Sequence, residues 1–449
     1  MAFEQYHTKD FAMTNCIPLS YQFSKVKTRQ LEINFTGGDI SSDGGVLLLR
    51  EADRRLGITN ELAKMFPDKR DASKITHSMQ SMIKQRIYGI ALGYEDLNDH
   101  DNLRKCPAIQ TSADTIDDMA SSSTLCRMEN NADRQFAIRT HELMIDKFIE
   151  SYKSAPQQLI LDFDATDDEI HGEQEGKFYH GYYGHNCFLP LYVFCEKKLL
   201  VSYLRVSKQD QAKHAWAILS LLVKRFRQAW PEVEIIFRGD SGFCRHQMLD
   251  WCDSHGVKYI VGMAQNNRLN ELLKPTMQRS KEAFTSTQEK QRLFSEFQYK
   301  AGSWRYERRL IGKAEVTKLG ENPRYIVTNL LGDPEDLYDK VYCARGDMEN
   351  RIKEQQLELF ADRTSCHKWW ANQFRILLSA LSYTLVEYIR DKFLHGTELA
   401  KAQVGTIRLK LFKIGAVIIR NTRRIKFLLS SSYPYQLIWQ SIMKKLALE

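Results

Sequence analysis

The clearest pattern of apolar and polar positions lies in the middle of the chain. QLILDFDAT, from Gln158, is a short apolar run of strand type. FLPLYVFCE and LLVSYLRVS follow, parted by the polar EKK, which suits an antiparallel hairpin. KHAWAILSLLVKRFRQAW then sets Ala215, Ile218, Leu222 and Phe226 on one helical face. VEIIFRGD is a further strand, HQMLDWCDSHG a helix stopped by glycine, and KYIVGM another strand. The predicted order is β-β-β-α-β-α-β, three antiparallel strands followed by α/β alternation.

The flanks differ. Before residue 156 a short strand, QLEINF, precedes helices: Leu47, Leu48, Ala52 and Leu56 fall at helical spacing, as do Met79, Met82, Ile83 and Ile87. MENNADRQFAIRTHELMIDKFIESY is predicted as one further helix, ending before the turn at Pro156. After Met263, residues 292–331 read as short strands joined by Gly- and Asn-containing turns. Helices follow from near Glu335 through MENRIKEQQLELF and in WWANQFRILLSALSYTLVEYIRDKF, with a predicted hairpin AVIIR-NT-RRIKFLL near the end. The expected organisation is a mainly helical module at 1–155, as suited to binding DNA as to assembly with its neighbour, and an α/β domain at 156–395. A β-rich insertion interrupts that domain at about 264–334, and a basic tail occupies 396–449.

Charge sharpens this picture. The 449 residues carry a formal +8, but residues 401–449 hold ten Lys/Arg and one acid, so that segment is +9 and the rest of the chain −1. A near-neutral body with a basic tail points to a polyanionic partner. Nine cysteines without a C-x-x-C pair read as reduced thiols of a cytoplasmic protein. The start of the chain lacks a basic stretch followed by an apolar run, so no signal peptide is expected, and no stretch approaches 18 uninterrupted apolar residues, so no membrane span is expected.

Candidate chemistry centres on acids held by rigid elements. Asp162 and Asp164 are two apart on the first strand, which points both carboxylates to one face. Asp240 ends the strand VEIIF within RGDSGF. Glu349 lies on the late helix, where Tyr342, Arg345, Glu349 and Lys353 are spaced 3, 4 and 4 and share a face. Taken singly, any one such acid is better explained as a solvated cap. Together they repel one another unless cations neutralise them, and hard oxygen donors suit Mg²⁺ or Mn²⁺. Two such ions about 3.5–4 Å apart can serve phosphoryl transfer. An EF-hand reading of DFDATDDEIHGE fails, because Asp167 stands at the obligatory glycine and a strand precedes the run.

DxDxT on a first strand, RGDSGF after a fourth, and Tyr342-Cys-Ala-Arg345-Gly-Asp-Met-Glu349 on a helix resemble the DDE transposases of bacterial insertion sequences. The resemblance extends to FTGGDISSDGGVLLL, TLCRMEN, DDEIHGEQ, ENRIKE and IRLKLFKIGA, and so to nearly the whole chain. It implies an α/β fold: an RNase H-like mixed sheet with an all-β insertion and an α-helical N-terminal module. The catalytic acids carry over as Asp164, Asp240 and Glu349, binding two ions of Mg²⁺ or Mn²⁺, with Asp162 as a further metal-side acid. Tyr342, Arg345 and Lys353, with Arg420, Arg423, Arg424 and Lys426 of the tail, are the expected DNA contacts. The implied activity is hydrolysis of the phosphodiester at transposon ends and attack of the freed 3′-OH on target DNA. The implied partners are double-stranded DNA (terminal inverted repeats and target) and a second copy of the chain. The setting is the bacterial cytoplasm, in association with the nucleoid. One departure is Gln356, where the family's signature often places a basic residue seven beyond the Glu; Lys353 is one turn nearer. Trp369 and Trp370 are expected in the core, and His171 and His185 in surface or structural roles. The rival readings are a metal-dependent nuclease of the same fold and a catalytically silent DNA-binding relative.

Overall fold

A computed structural model describes residues 20–447; the opening segment that bears on the signal-peptide expectation, with Cys16, and the terminal Glu449 lie outside the described residues. Its centre is a mixed sheet whose strands we number β1 (Gln158–Ala165), β2 (Leu191–Cys195), β3 (Lys198–Tyr203), β4 (Glu234–Gly239), β5 (Lys258–Met263), β6 (Gln291–Tyr299), β7 (Arg308–Thr317) and β8 (Arg324–Thr328). The strand order is β6-β7-β8-β5-β4-β1-β2-β3, with the two-residue strand Gly320–Glu321 pairing off β7. β1, β4 and β5 run parallel, and every other pairing along that path is antiparallel. The β-β-β-α-β-α-β order expected from the hydrophobic pattern is therefore present, with helices Ala215–Ala229 and His246–Ser254 between β3 and β5.

Alternation along the strands divides the sheet into two faces. Leu159, Leu161 and Phe163 of β1 join Ile235 and Phe237 of β4 in a core covered by the helix with Leu219, Leu222 and Phe226. The opposite face carries Ile160, Ile236, Ile260, Ile311 and Ile326, covered by Leu337, Tyr338, Val341 and Tyr342. Asp162, Asp164 and Arg238 share the register of this second face.

The stretch 264–334, expected as an all-β insertion, is not all β. It contains a 21-residue helix, Asn267–Thr287, and its strands β6 to β8 continue the central sheet beyond β5. Pro275 sits inside that helix; a proline there removes a backbone donor and reads in sequence as a breaker. The helix predicted over 128–152 is two, Ser122–Asn131 and Arg134–Glu150. Asp133 accepts a hydrogen bond from the Phe136 N–H at 2.8 Å and so starts the second.

The segment after residue 396 is packed against the front of the chain. The predicted hairpin forms from Ala416–Arg420 and Ile425–Leu429, and its first strand also pairs with Ile40–Ser41. Gly45 lies so close that a Cβ would stand 1.9 Å from the Leu411 carbonyl oxygen, and Gly44 N–H donates to Ile414 O at 2.9 Å. Leu411, Phe412, Ala416, Ile418 and Ile442 share one core with Val46, Leu49, Met82 and Ile87. Helix Trp369–Lys392, buried on nearly every face, runs through that core and also contacts β3. No helix among the described residues is long and apolar enough to cross a membrane.

Candidate active site

Parallel pairing of β1 and β4 aligns Gly239 with Phe163. One step further along both strands stand Asp240 and Asp164, so two carboxylates meet at neighbouring C-terminal strand ends. Asp240 is held by its own turn, accepting from Gly242 N–H at 2.8 Å, and Gln211 Nε2 lies 3.3 Å from its Oδ2. The third acid comes from the helical run that covers this face. Arg345 bridges the two elements: its Nη1 is 3.0 Å from Asp164 Oδ2 and its Nη2 is 3.1 Å from Glu349 Oε1.

That helical run is irregular. After Pro334–Asp336 it widens to π-helical turns over Leu337–Tyr342, tightens at Cys343–Arg345, is α-helical over Gly346–Lys353 and widens again over Glu354–Glu358. Such turns displace side chains from ideal helical spacing. Tyr342 lies over β5, where a Cβ on Gly262 would be 2.5 Å from its hydroxyl; the glycine makes room for the ring. Tyr342 and Arg345 also line an open groove of about 480 Å³ with Ser241, Gln265 and Arg324.

Electrostatics follow from this geometry. Burial pushes the Asp164 carboxyl up to about 6; the Arg345 guanidinium opposes the shift, and Asp240 and Glu349 add to it. Arg345 is itself held above its ordinary value: burial pulls it down, but Asp164, Tyr342, Asp240 and Glu349 outweigh that. Among the described residues no three His, Cys, Asp or Glu side chains stand grouped as a ready metal site. The cation among the acids is Arg345.

Asp162 behaves differently from the other acids. Both its oxygens receive Arg238, Nη2 to Oδ2 at 2.7 Å and Nε to Oδ1, and Arg238 Nη1 also donates to the Val341 carbonyl. Asp162 is thus engaged in a buried clamp between strand and helix, beneath the three acids. Lys353 is exposed, one turn past Glu349. Gln356 donates to the Asp167 carbonyl at 2.9 Å, which ties the helix to the segment following Asp164. His185 contacts Asp167 at 2.8 Å, and Trp369 packs edge-on against Phe188 at 5.4 Å.

In the basic segment, Arg420 reaches Gln110 Oε1 at 3.0 Å and Ile116 O at 3.2 Å, so it fastens the hairpin to the helical module. Arg423, Arg424 and Lys426 are exposed. Arg238 opens the RGDSGF motif but had no role assigned from sequence, and Gln211 belongs to no motif. The signal for Arg238 is a charged residue inside an otherwise apolar strand, whereas Gln211 lies in a loop with no pattern to single it out.

The family described as Transposase DDE domain group 1 matches residues 23–449. The chain belongs to that family. As a DDE transposase, it falls among enzymes that cut and transfer DNA. No curated protein matches this transposase in sequence. Among solved structures, a chain of the piggyBac transposase synaptic complex with hairpin DNA is similar over 82% of this chain and 80% of its own, at 12% identity and a TM-score of 0.41.

Proposed function

We propose that this transposase cuts phosphodiester bonds at the ends of a DNA element and joins the freed 3′-OH to target DNA. In this reading Asp164, Asp240 and Glu349 are the catalytic acids of an RNase H-like core elaborated by the 264–334 insertion. The observation that carries it is the alignment of Asp164 with Asp240 across parallel β1 and β4, with Arg345 joining Asp164 to Glu349.

The chemistry of the donors, all carboxylate oxygens, suits hard divalent ions, although among the described residues the three do not stand grouped as a ready site. Arg345 pairs with Asp164 and Glu349 but not with Asp240, and the Asp164 carboxyl is raised first by burial, with Asp240 and Glu349 adding to the shift against Arg345. Asp164, Asp240 and Glu349 would hold Mg²⁺ or Mn²⁺, in our reading two ions; Asp162, already clamped by Arg238, would support them from behind. Bound ions would neutralise charge on the reacting phosphate and favour the ionised form of the attacking oxygen. The chain's own groups do the rest. Gln211 and the Gly242 N–H orient Asp240. Arg345 and Tyr342, at the groove, would bind backbone phosphates, with Lys353 further along the helix. Terminal repeats and target DNA are the proposed substrates, and a homodimer in the DNA complex would serve two ends at once.

The deciding assay is cleavage and joining of labelled DNA carrying the element's ends, with Mg²⁺ or Mn²⁺. Asp240→Asn and Glu349→Gln are each expected to abolish both steps while leaving the fold intact by circular dichroism. Unchanged rates in both variants would remove these residues from the chemistry, and cleavage without joining would mark a nuclease.

A further inference from the structure

Between β1 and β2 the chain makes a small antiparallel sheet in the order Asp168–Glu169, His185–Phe188, Phe178–His180. It begins four residues beyond Asp164, and Asp167 of the linking segment contacts His185 within it. Its outer turn, Lys177 to Asn186, reads KFYHGYYGHN: five aromatic or imidazole positions before the second glycine and no aliphatic side chain. Tyr182 is 86% exposed, Tyr179 65% and Phe178 39%.

A single exposed tyrosine is ordinary on a protein surface. Here the exposed rings stand on an ordered base. Tyr183, half-buried, lies 4.9 Å from the His180 ring and 6.1 Å from the His185 ring, almost parallel to the latter. His185 is anchored by Asp167 at 2.8 Å, and Asp167 is held through its carbonyl by Gln356 of the catalytic helix. Tyr182 meets Tyr183 at 5.0 Å with the two rings nearly perpendicular, and most of its surface faces solvent. Gly181 and Gly184, on either side of the tyrosine pair, have nothing within 4 Å of where a Cβ would stand, so the turn is open to a flat group. The Tyr183 hydroxyl is pushed up to about 12, first by burial and then by charges that include Asp167 and Asp164, which places the turn within electrostatic reach of the site. Lys208 stands 5.4 Å over the Phe178 ring, a cation at the flank of the platform.

We propose that this aromatic turn, led by Tyr182 with Tyr179, stacks against an unpaired nucleobase next to the phosphodiester on which the acids act. The proposal rests on the DNA-cutting reading above. Rigid rings without aliphatic neighbours suit a planar π-system, because stacking needs an open ring face rather than a broad apolar patch. Tethering to β1 explains why the base would be one adjacent to the cut.

The test uses the full chain carrying Asp240→Asn, so that DNA stays intact, and two short duplexes with 2-aminopurine. In one the probe is unpaired beside a nick; in the other it is fully paired. The expected result is quenching of the unpaired probe on binding, and tighter binding of that duplex than of the paired one. Tyr182→Ala should remove the quenching and weaken the unpaired duplex by about fivefold or more. Tyr182→Phe should retain both, and affinity for the paired duplex should stay within about twofold. Tyr182 is too exposed for its truncation to threaten the fold, and unchanged thermal melting would verify that. Equal quenching in Tyr182→Ala, or equal losses on both duplexes, would overturn the stacking role alone. Failure to bind either duplex would overturn the DNA-cutting reading with it.

Discussion

Arg345 faces two carboxylates at once, and the balance around it is uneven. One guanidinium serves Asp164 and Glu349 while Asp240 stands by, and burial is the largest influence on Asp164. An Asp whose folded value is raised to about 6 binds its proton more tightly folded than unfolded. Its contribution therefore favours the folded state at low pH and is lost as pH rises from about 4 to about 6, up to about 3 kcal/mol. Asp164→Asn removes that loss. In metal-free protein the stability advantage of the variant over wild type should grow between pH 4 and pH 6 and then level off, as read from denaturant midpoints. An advantage that shrank with rising pH would show that Arg345 fully compensates the carboxylate. The same residue shows why a strand-end Asp could be singled out in sequence but its pairing could not: Arg345 is 181 positions away, and no local pattern reports a partner at that distance.

At the scale of elements, the first-strand acids have separate tasks. Asp162 and Arg238 are both nearly inaccessible, and their pairing joins β1, β4 and the Val341 carbonyl of the covering helix. Arg238→Met leaves a buried carboxylate without its partner and should cost about 3–5 kcal/mol. Adding Asp162→Leu should recover much of that in stability, measured by urea unfolding, because an apolar pair of similar volume avoids the unpaired charge. If the double variant were no more stable than Arg238→Met, the clamp would not be the source of the loss. Alternation placed Asp162 and Asp164 on one face, as the strand geometry requires, but it carried no information on which acid a buried arginine would occupy. The succession of strands and helices within residues 158–263 was legible because each strand is an apolar run bounded by turns or charged helices. The insertion was less so: Pro275 hid a helix, and the strands β6 to β8 look alike whether they form their own unit or extend a sheet, since edge pairing leaves no local mark. The widened turns at Leu337–Tyr342 were equally hidden, because residue spacing in sequence assumes a regular helix. The small aromatic sheet at 168–188 has strands of only two to four residues, too short for periodicity to register.

For the whole molecule, charge and packing divide the basic segment. Arg423, Arg424 and Lys426 project from the hairpin, whereas Arg420 is engaged with Gln110 and Ile116. Neutralising the three exposed residues together should lower DNA affinity and reduce the slope of log K against log[salt] by roughly 2–3, about 0.9 for each phosphate no longer neutralised. An unchanged slope would make them an ordinary solvated face. Arg420→Ala should instead loosen the hairpin, seen as faster amide exchange there, with the salt slope retained. Asymmetry of charge was visible from sequence, but the division of labour among these arginines needed the packing. That packing also bears on how the protein is made. The core around Val46, Leu49, Met82 and Ile87 is completed by helix Trp369–Lys392 and by Leu411, Phe412 and Ile418. The residues that start it leave the ribosome roughly 300 positions before those that close it, about fifteen seconds or more at ordinary elongation rates. Throughout that interval the first module presents an unfilled apolar surface, and the strand Ile40–Ser41 waits for a partner that has not been translated. Closure of that core is thereby tied to completion of the polypeptide.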